Sequence, residues 1–490
     1  MAPRLTKSTF VTGVQCPNLL WWETHEPDSP ELCPTPDDHY KMEQGTRVAT
    51  VAREHVPGGV LIRSAGVSME DRLQETITAL EGATPVIYQA CFQTNNVFVA
   101  VDILERTASG ALNVIEVTSS TGIKNRDVPG LALQAYALAG SGLEVARCEV
   151  MHLNPECRHP DLSNLFVRED VTPQLEELVP AVETQVERIL GWLDGDNPQV
   201  PIGEQCFRMD KCAFRERCWP KQERDHVFSL AGFGLKKTYA LMQRDVHLID
   251  DLPADIKLSE VAQRQVRAVK RGTVLIEPAL GDALHAFAKP LAYLDFESVG
   301  PAIPVWPGCR PWDTVPAQFS CHAETGVGGL VHHEWIADGP SDPREPLARA
   351  LIEACRDAES VMAYYASVER GCIAHLETAL PHLADELASI RERIVDLHPV
   401  VKDYVYHPDF LGSFGLKSVV PALVPELAYD DLAIADGLTA SAELTRLMFE
   451  PLAADSRAEL RAQLLAYCER DTAVMVALMA KLNKLAEAAR

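Results

Sequence analysis

The chain has 490 residues, a length that allows about three domains, each with its own core. A hydrophobic fraction of 47%, with 23% charged and 7% aromatic residues, argues against a mostly disordered, collagen-like or membrane-embedded chain. Lys+Arg 45 against Asp+Glu 70 leaves a net charge of −25, which favours solubility and opposes non-specific adsorption to nucleic acid or anionic lipid. A polyanionic partner therefore has to be held by local patches.

The first residues, MAPRLTKSTFVTGVQCPNLLWW, place polar groups where a signal peptide carries a continuous apolar stretch. No apolar run approaches the roughly 20 residues that span a bilayer. A cytoplasmic protein without membrane contact is expected. The chain has 13 cysteines, an odd number without an export signal, and they read as thiols, small buried apolar residues or metal ligands rather than a disulfide framework.

An α/β organisation in three sections is predicted: 1–225, a helical linker domain over 226–285, and a second α/β domain over 286–490. In the first section the β-rich stretches VIYQACFQTNNVFVAVDILERT and ALNVIEVTSS are joined through Ala108-Ser109-Gly110 and followed by a helix around Leu131 to Leu138. From Thr172 to Leu193 apolar residues recur at three- and four-residue steps, which predicts the helix that closes this section. Asp102 and Glu116 lie on the two β-rich stretches, and the short turn brings both acids to one edge. The plain alternative is a pair of surface acids beside a hairpin.

These residues resemble the RecB-like branch of the PD-(D/E)XK nucleases, whose second motif is an Asp followed by Glu-x-Lys. The resemblance implies a restriction-endonuclease-like α/β domain with Asp102 and Glu116 as metal ligands. Thr118 stands where the lysine is expected, so the cation that assists cleavage is missing from its usual place, and Lys124 in the following loop is the candidate to replace it. Gln134 and Tyr136 in LALQAYAL match the helix that in this branch contacts DNA or orients the lysine. Cys206, Cys212 and Cys218 form C-x5-C-x5-C, and Cys16 lies far upstream. In CRISPR-associated and helicase-nuclease members of this branch, one N-terminal cysteine and three after the core hold a 4Fe-4S cluster. The distribution here implies the same, with zinc on four thiolates as the alternative.

In the middle section, Phe233-Gly234-Leu235-Lys236-Lys237 is weakly similar to a helix-hairpin-helix turn, although an ordinary helix end explains it equally well. Arg264, Arg267, Lys270 and Arg271 form a basic stripe at near-helical spacing, and Arg208, Lys211, Arg215, Arg217, Lys221 and Arg224 surround the cysteine triplet. Against the acidic background these are the candidate tracks for a phosphate backbone; solvated helix faces are the alternative.

The third section opens with LAYLDFESV, an apolar strand in which Asp295 and Glu297 share one face by the period of two. Glu369 falls where the strand of VMAYYASVERGC turns into a helix. In YCERDT, Tyr467 and Asp471 are four residues apart and share a helical face. GPAIPVWPGCRPW reads as a long loop inside this domain.

This arrangement resembles the RNase H-like DEDD exonucleases, in which four acids hold two divalent ions. The resemblance assigns Asp295 and Glu297 to the first motif, Glu369 to the middle one, with Asp396 as runner-up, and Asp471 to the last, with Tyr467 as the tyrosine that orients the attacking water. The middle motif departs from the family in carrying Glu for Asp. Ser413-Phe-Gly-Leu-Lys417 resembles the Ser-Leu-Lys segment before the final helix. Two hard cations on carboxylate oxygens suit Mg²⁺ or Mn²⁺ and phosphodiester hydrolysis. The whole chain resembles a bacterial family that fuses both nuclease folds. The expected function is a metal-dependent nuclease acting on nucleic acid, DNA before RNA, with 3′–5′ exonucleolytic cleavage by the C-terminal domain and the N-terminal domain gripping or weakly cutting the strand. The competing readings are a non-catalytic nucleic-acid-binding or assembly module with a structural cluster, and a redox-sensing regulator.

Overall fold

The computed structural model describes residues 5–207, 212–326 and 328–489. The fold is mixed α/β and divides into two compact units, Met1–Trp219 with Pro301–Asp313, and Pro220–Gly300 with Thr314–Arg490.

The first unit is built on a six-stranded sheet of β1 (Gly59–Leu61), β2 (Val86–Thr94), β3 (Val97–Arg106), β4 (Leu112–Val117), β5 (Val145–Leu153) and β6 (Phe166–Asp170), lying side by side in chain order. The β1–β2 and β4–β5 pairs are parallel and the others antiparallel. Asn95 and Asn96 connect β2 to β3 with φ of 41° and 65°, a left-handed pair that a two-residue hairpin turn demands and that asparagine tolerates. The first β-rich stretch is therefore a hairpin by itself.

The crossover from β4 to β5 is the helix Asp127–Gly140, which buries Leu131, Leu133, Ala137 and Leu138 in one core with Val99, Val101, Val114 and Val150. The helix Thr172–Asp194 matches the predicted one and adds Leu175, Val182, Val186 and Ile189 to the same core. The N-terminal helix Lys7–Gln15 starts with a reciprocal cap between Thr6 and Thr9 and anchors through Phe10.

The Pro-rich segment expected as a loop of the C-terminal domain belongs to this unit instead. Ala302 and Ile303 share a core with Val48, Leu153 and Leu165, and the Trp312 indole donates to the Ser119 carbonyl at 2.6 Å. The physical reason is that these apolar side chains and the indole N–H find partners here.

The second unit contains β7 (Leu275–Ile276), β8 (Leu291–Val299), β9 (Val315–Glu324), β10 (Leu330–Ile336), β11 (Ser360–Ala363), β12 (Ile394–Asp396) and β13 (Val405–Tyr406). Five of these form a sheet in the order β10-β9-β8-β11-β12, antiparallel from β8 to β10 and parallel from β8 to β12. The final helix, Ala454–Ala488, packs on β8 and β9. The segment 226–285, read as a separate domain, is part of this unit. Its β7 pairs with β13, and Ala268, Leu275, Leu280 and Leu284 share a core with Tyr293, Val401, Tyr406 and Leu478. Short helices with one apolar face and a two-residue strand cannot bury that surface alone. Among the described residues, no helix is long and apolar enough to cross a membrane.

Candidate functional site

The second unit gathers acids on its central strand. Asp295 lies opposite Ser320, and Glu297 opposite Gln318, across the β8–β9 ladder. Because their side chains share a face, both look toward the final helix, where Tyr467, Cys468 and Asp471 are buried. Ligand atoms of Asp295, Glu297 and Asp471 all lie within 4.8 Å of one another. The strand period of two and the helical step of four thus converge on one point.

Glu369 stands in the first turn of the helix Ser367–Ala379 and is 3% exposed. Its Oε2 has no hydrogen-bond partner, and its charge acts on Asp295 and Glu297. A buried carboxylate oxygen without a donor is costly and calls for a cation or proton. Asp396 takes another role. Its carboxylate accepts from the backbone N–H of Tyr365 and Ala366, each at 3.1 Å, and from that of His398 at 2.9 Å. With its oxygens engaged, Asp396 fixes the turn that launches the helix carrying Glu369.

The electrostatics express the crowding. Burial, reinforced by Asp471 at both and by Glu297 at Asp295, raises Asp295 and Glu297 well above the usual carboxylate range. Burial lifts Glu369 to about 8. Asp471 is lifted by burial to about 6, held down by hydrogen bonds from Tyr429 and Tyr467 and by the Lys417 charge. Four acids cannot all ionise here unless a cation joins them. Tyr429, which the sequence did not single out, donates to Asp471 Oδ1. The Ser413–Lys417 segment brings Lys417 close enough for its charge to act on Glu297, Asp436 and Asp471.

The first unit gathers a second set. The β3–β4 ladder ends at Ile103 opposite Ile115, and one step on, Asp102 accepts from the Val117 N–H at 2.9 Å and from Gln89 Nε2 at 2.9 Å. Glu116 accepts from Gln134 Nε2 at 3.1 Å and pairs with the Lys7 ammonium. Burial and the neighbouring Asp102 raise Glu116 to about 7 against the pull of Lys7. Gly130 gives the Lys7 side chain room, since a Cβ there would lie 3.2 Å from Lys7 Cγ and Cδ, a tight contact.

Lys124, expected to replace the missing lysine, is exposed in the loop before the helix Asp127–Gly140 and makes no ion pair with either acid. Its backbone N–H donates to Asp127 Oδ2 at 2.7 Å, which turns that loop into the helix. The ammonium that pairs with Glu116 is that of Lys7. Thr118 Oγ1 bonds Ser120 Oγ at 3.1 Å, and the Tyr136 hydroxyl accepts from Asn95 at 3.2 Å.

Cys16, Cys206, Cys212 and Cys218 come together from both ends of this unit. Cys16 packs with Leu19, Phe214 and Cys212. Cys212 is raised to about 11, by burial first, with Cys16, Cys218 and Cys206 near enough to add to it. Arg217 is occupied by Glu26 and Glu31 and lies over the Trp22 and Phe214 rings. Arg208 and Lys211 lie outside the described residues.

The basic stripe of the helix Glu260–Arg271 is corrected in part. Arg264 is 6% exposed and donates to Glu277 at 3.0 Å and to the Lys402 carbonyl at 2.8 Å. Arg267 also pairs with Glu277, and Lys270 with Asp250; Arg271 is exposed. Helical spacing identified a common face, but Arg264 is spent inside the unit.

The profile of a family described as Domain of unknown function (DUF2779) matches residues 292–415. The match includes Asp295, Glu297, Glu369 and Asp396 and stops before Asp471. No curated protein matches the chain.

Proposed function

We propose that the chain is a cytoplasmic, divalent-metal-dependent phosphodiester hydrolase that acts on nucleic acid, DNA before RNA, with the chemistry in the second unit. The observation that carries this reading is the convergence of Asp295, Glu297 and Asp471 within 4.8 Å, beside the buried, unpartnered Oε2 of Glu369. Such a set of hard oxygen donors fits Mg²⁺ or Mn²⁺. The acids sit on the central strand and last helix of a sheet ordered β10-β9-β8-β11-β12, which supports the likeness to RNase H-like 3′–5′ exonucleases.

On this reading Asp295, Glu297, Glu369 and Asp471 hold the ions. When bound, these supply a nucleophilic water and stabilise the oxygen that leaves phosphorus. The Tyr467 hydroxyl, close enough to Asp471 to act on its carboxyl, orients the attacking water, and Tyr429 fixes the Asp471 carboxylate. Lys417 offsets part of the negative charge that a phosphate adds.

The first unit, on the same reading, is RecB-like and grips the strand. Asp102 and Glu116 are its metal ligands, with Lys7 as the neighbouring cation. The neighbouring thiols of Cys16, Cys206, Cys212 and Cys218 suit a 4Fe-4S cluster, with zinc as the alternative occupant.

The test is degradation of end-labelled single-stranded DNA and RNA with Mg²⁺ or Mn²⁺ by wild type, Asp295→Ala and Glu116→Ala. Loss in Asp295→Ala alone is the expected result. Loss in Glu116→Ala alone moves the chemistry to the first unit, and binding without cleavage by any version replaces the hydrolase with a binding module.

A further inference from the structure

A second group of metal-ligating side chains lies one strand away from the acids. His322 on β9 and His332 on β10 are direct cross-strand partners, with rings stacked 4.5 Å apart at 22°. Glu469 on the final helix completes the set, and ligand atoms of the three residues lie within 4.8 Å of one another. His322 is buried, His332 partly buried, and Glu469 exposed, so the group opens to solvent on the carboxylate side.

The hydrogen bonds behind the rings determine which nitrogens face the group. Thr472 Oγ1 donates its one proton to the Glu469 carbonyl at 3.0 Å. It therefore accepts from its other two neighbours, Ser320 Oγ at 2.7 Å and His322 Nδ1 at 2.8 Å. Ser320, having given its proton to Thr472, accepts from His332 Nε2 at 2.9 Å. With the Thr472 proton on the Glu469 carbonyl, both tautomers follow. His322 carries hydrogen on Nδ1 and keeps a lone pair on Nε2, while His332 carries hydrogen on Nε2 and keeps a lone pair on Nδ1. That Nδ1 lies 3.8 Å from Glu469 Oε1.

We propose that His322 Nε2, His332 Nδ1 and a Glu469 carboxylate oxygen form a binding site for a borderline divalent transition metal, Zn²⁺ foremost, distinct from the carboxylate centre. Two imidazoles and one carboxylate, leaving a coordination position for water or a donor atom of a ligand, are a donor set that zinc takes and that Mg²⁺ does not favour. Hydroxyls that orient metal-binding imidazoles through the opposite nitrogen serve the role of an outer shell. Here Thr472 and Ser320 do so, and Thr472 is fully buried. The site does not depend on the hydrolase reading, because none of its ligands belongs to the acid set.

The test uses the full chain carrying Asp295→Ala, which removes the neighbouring carboxylate centre. Zn²⁺ is titrated against a chromogenic chelator in this protein and with His332→Ala, Glu469→Gln or Thr472→Val added. The expected result is one tightly bound Zn²⁺ per chain fewer with His332→Ala, and affinity weakened about 10- to 100-fold by Thr472→Val and at least as much by Glu469→Gln. Co²⁺ in the same proteins should show visible ligand-field bands without sulfur charge transfer, lost with His332→Ala, which separates this ion from one on the cysteines. Glu469 is exposed, so Glu469→Gln remains a test even where His332→Ala fails to fold. Equal Zn²⁺ affinity and unchanged Co²⁺ spectra in the parent and Glu469→Gln proteins overturn the proposal.

Discussion

The Lys7 ammonium rests on the Glu116 carboxylate, joining the N-terminal helix to β4 across 109 positions of chain. Glu116 also accepts from Gln134, and its nearest acidic neighbour is Asp102. Lys7 is raised above an ordinary lysine: burial lowers it, but Glu116, Asp102 and Asp127 together outweigh that. The cation that Glu116 meets thus comes from the N-terminal helix and not from the loop that carries Lys124.

Removing that cation leaves a buried carboxylate beside another acid. Lys7→Met is expected to destabilise the protein by about 1–3 kcal/mol, the usual cost of leaving a buried polar group without its partner. Adding Glu116→Gln should recover part of the loss, because the neutral amide no longer needs the ammonium. Urea unfolding of the two single variants and the double variant measures the coupling. Strictly additive changes would mean that Lys7 and Glu116 do not stabilise each other.

The acid set of the second unit makes the metal-free protein sensitive to pH. Glu369 is raised to about 8 and Asp471 to about 6, above the ordinary values of roughly 4.3 and 3.9 expected when unfolded. In that interval the folded chain holds protons that the unfolded chain has lost. The stabilisation is therefore complete below about pH 4 and declines as pH rises through about 6 and then 8. Thermal unfolding without divalent ions should show this decline, and Glu369→Gln should flatten its upper part. Mn²⁺ at about 100 times its Kd should add about 2.7 kcal/mol, or roughly 5–10 °C in Tm. Melting that ignores Mn²⁺ at pH 8 would argue against a cation among these acids.

What was legible in the sequence follows from how local each signal is. Asp295, Glu297 and Asp471 could be brought together because strand and helix periods fix which face each residue takes. Lys7 and Tyr429 could not, because no local pattern says that the N-terminal helix crosses at Gly130 or that residue 429 returns to the final helix. Arg264 was misread for the complementary reason. Periodicity assigns a residue to a face, but only packing says whether that face is covered, and here Glu277 and the Lys402 carbonyl claim the guanidinium. The Pro-rich segment and residues 226–285 went to unexpected units because composition marks a loop or a short helix without saying which core receives its apolar side chains. His322 and His332 carried no motif at all; their register across β9 and β10 makes them a pair.

The four cysteines give a prediction about the ends of the first unit. Cys16 lies between two N-terminal helices, and the other three precede Pro220. A group bound to all four would tie the two ends of the unit together. Protein purified without oxygen is expected to show the broad visible absorption of an iron-sulfur cluster, and Cys16→Ala to lose it together with several degrees of Tm. Colourless protein with one zinc per chain on these thiols would assign the site to zinc, whereas Cys16→Ala with unchanged metal content and melting would remove the site altogether.

The two tyrosines on Asp471 should separate under mutation. Tyr429 donates to Asp471 Oδ1, and its hydrogen bond holds the carboxyl down. Tyr429→Phe therefore favours the protonated acid and should weaken Mn²⁺ binding about 10-fold near pH 7, in the range of outer-shell losses at metal sites, with the deficit shrinking as pH rises. Tyr467 lies near Asp471 and senses its charge together with those of Glu297 and Asp295. If it orients the attacking water, Tyr467→Phe lowers kcat about 10- to 100-fold while metal affinity changes less, because orientation acts at the reacting atoms rather than at the ligands. Cleavage rates measured across a Mn²⁺ titration at pH 6, 7 and 8 distinguish the two effects. Identical profiles for the two variants would leave both tyrosines with the same supporting role and the attacking water without its proposed partner.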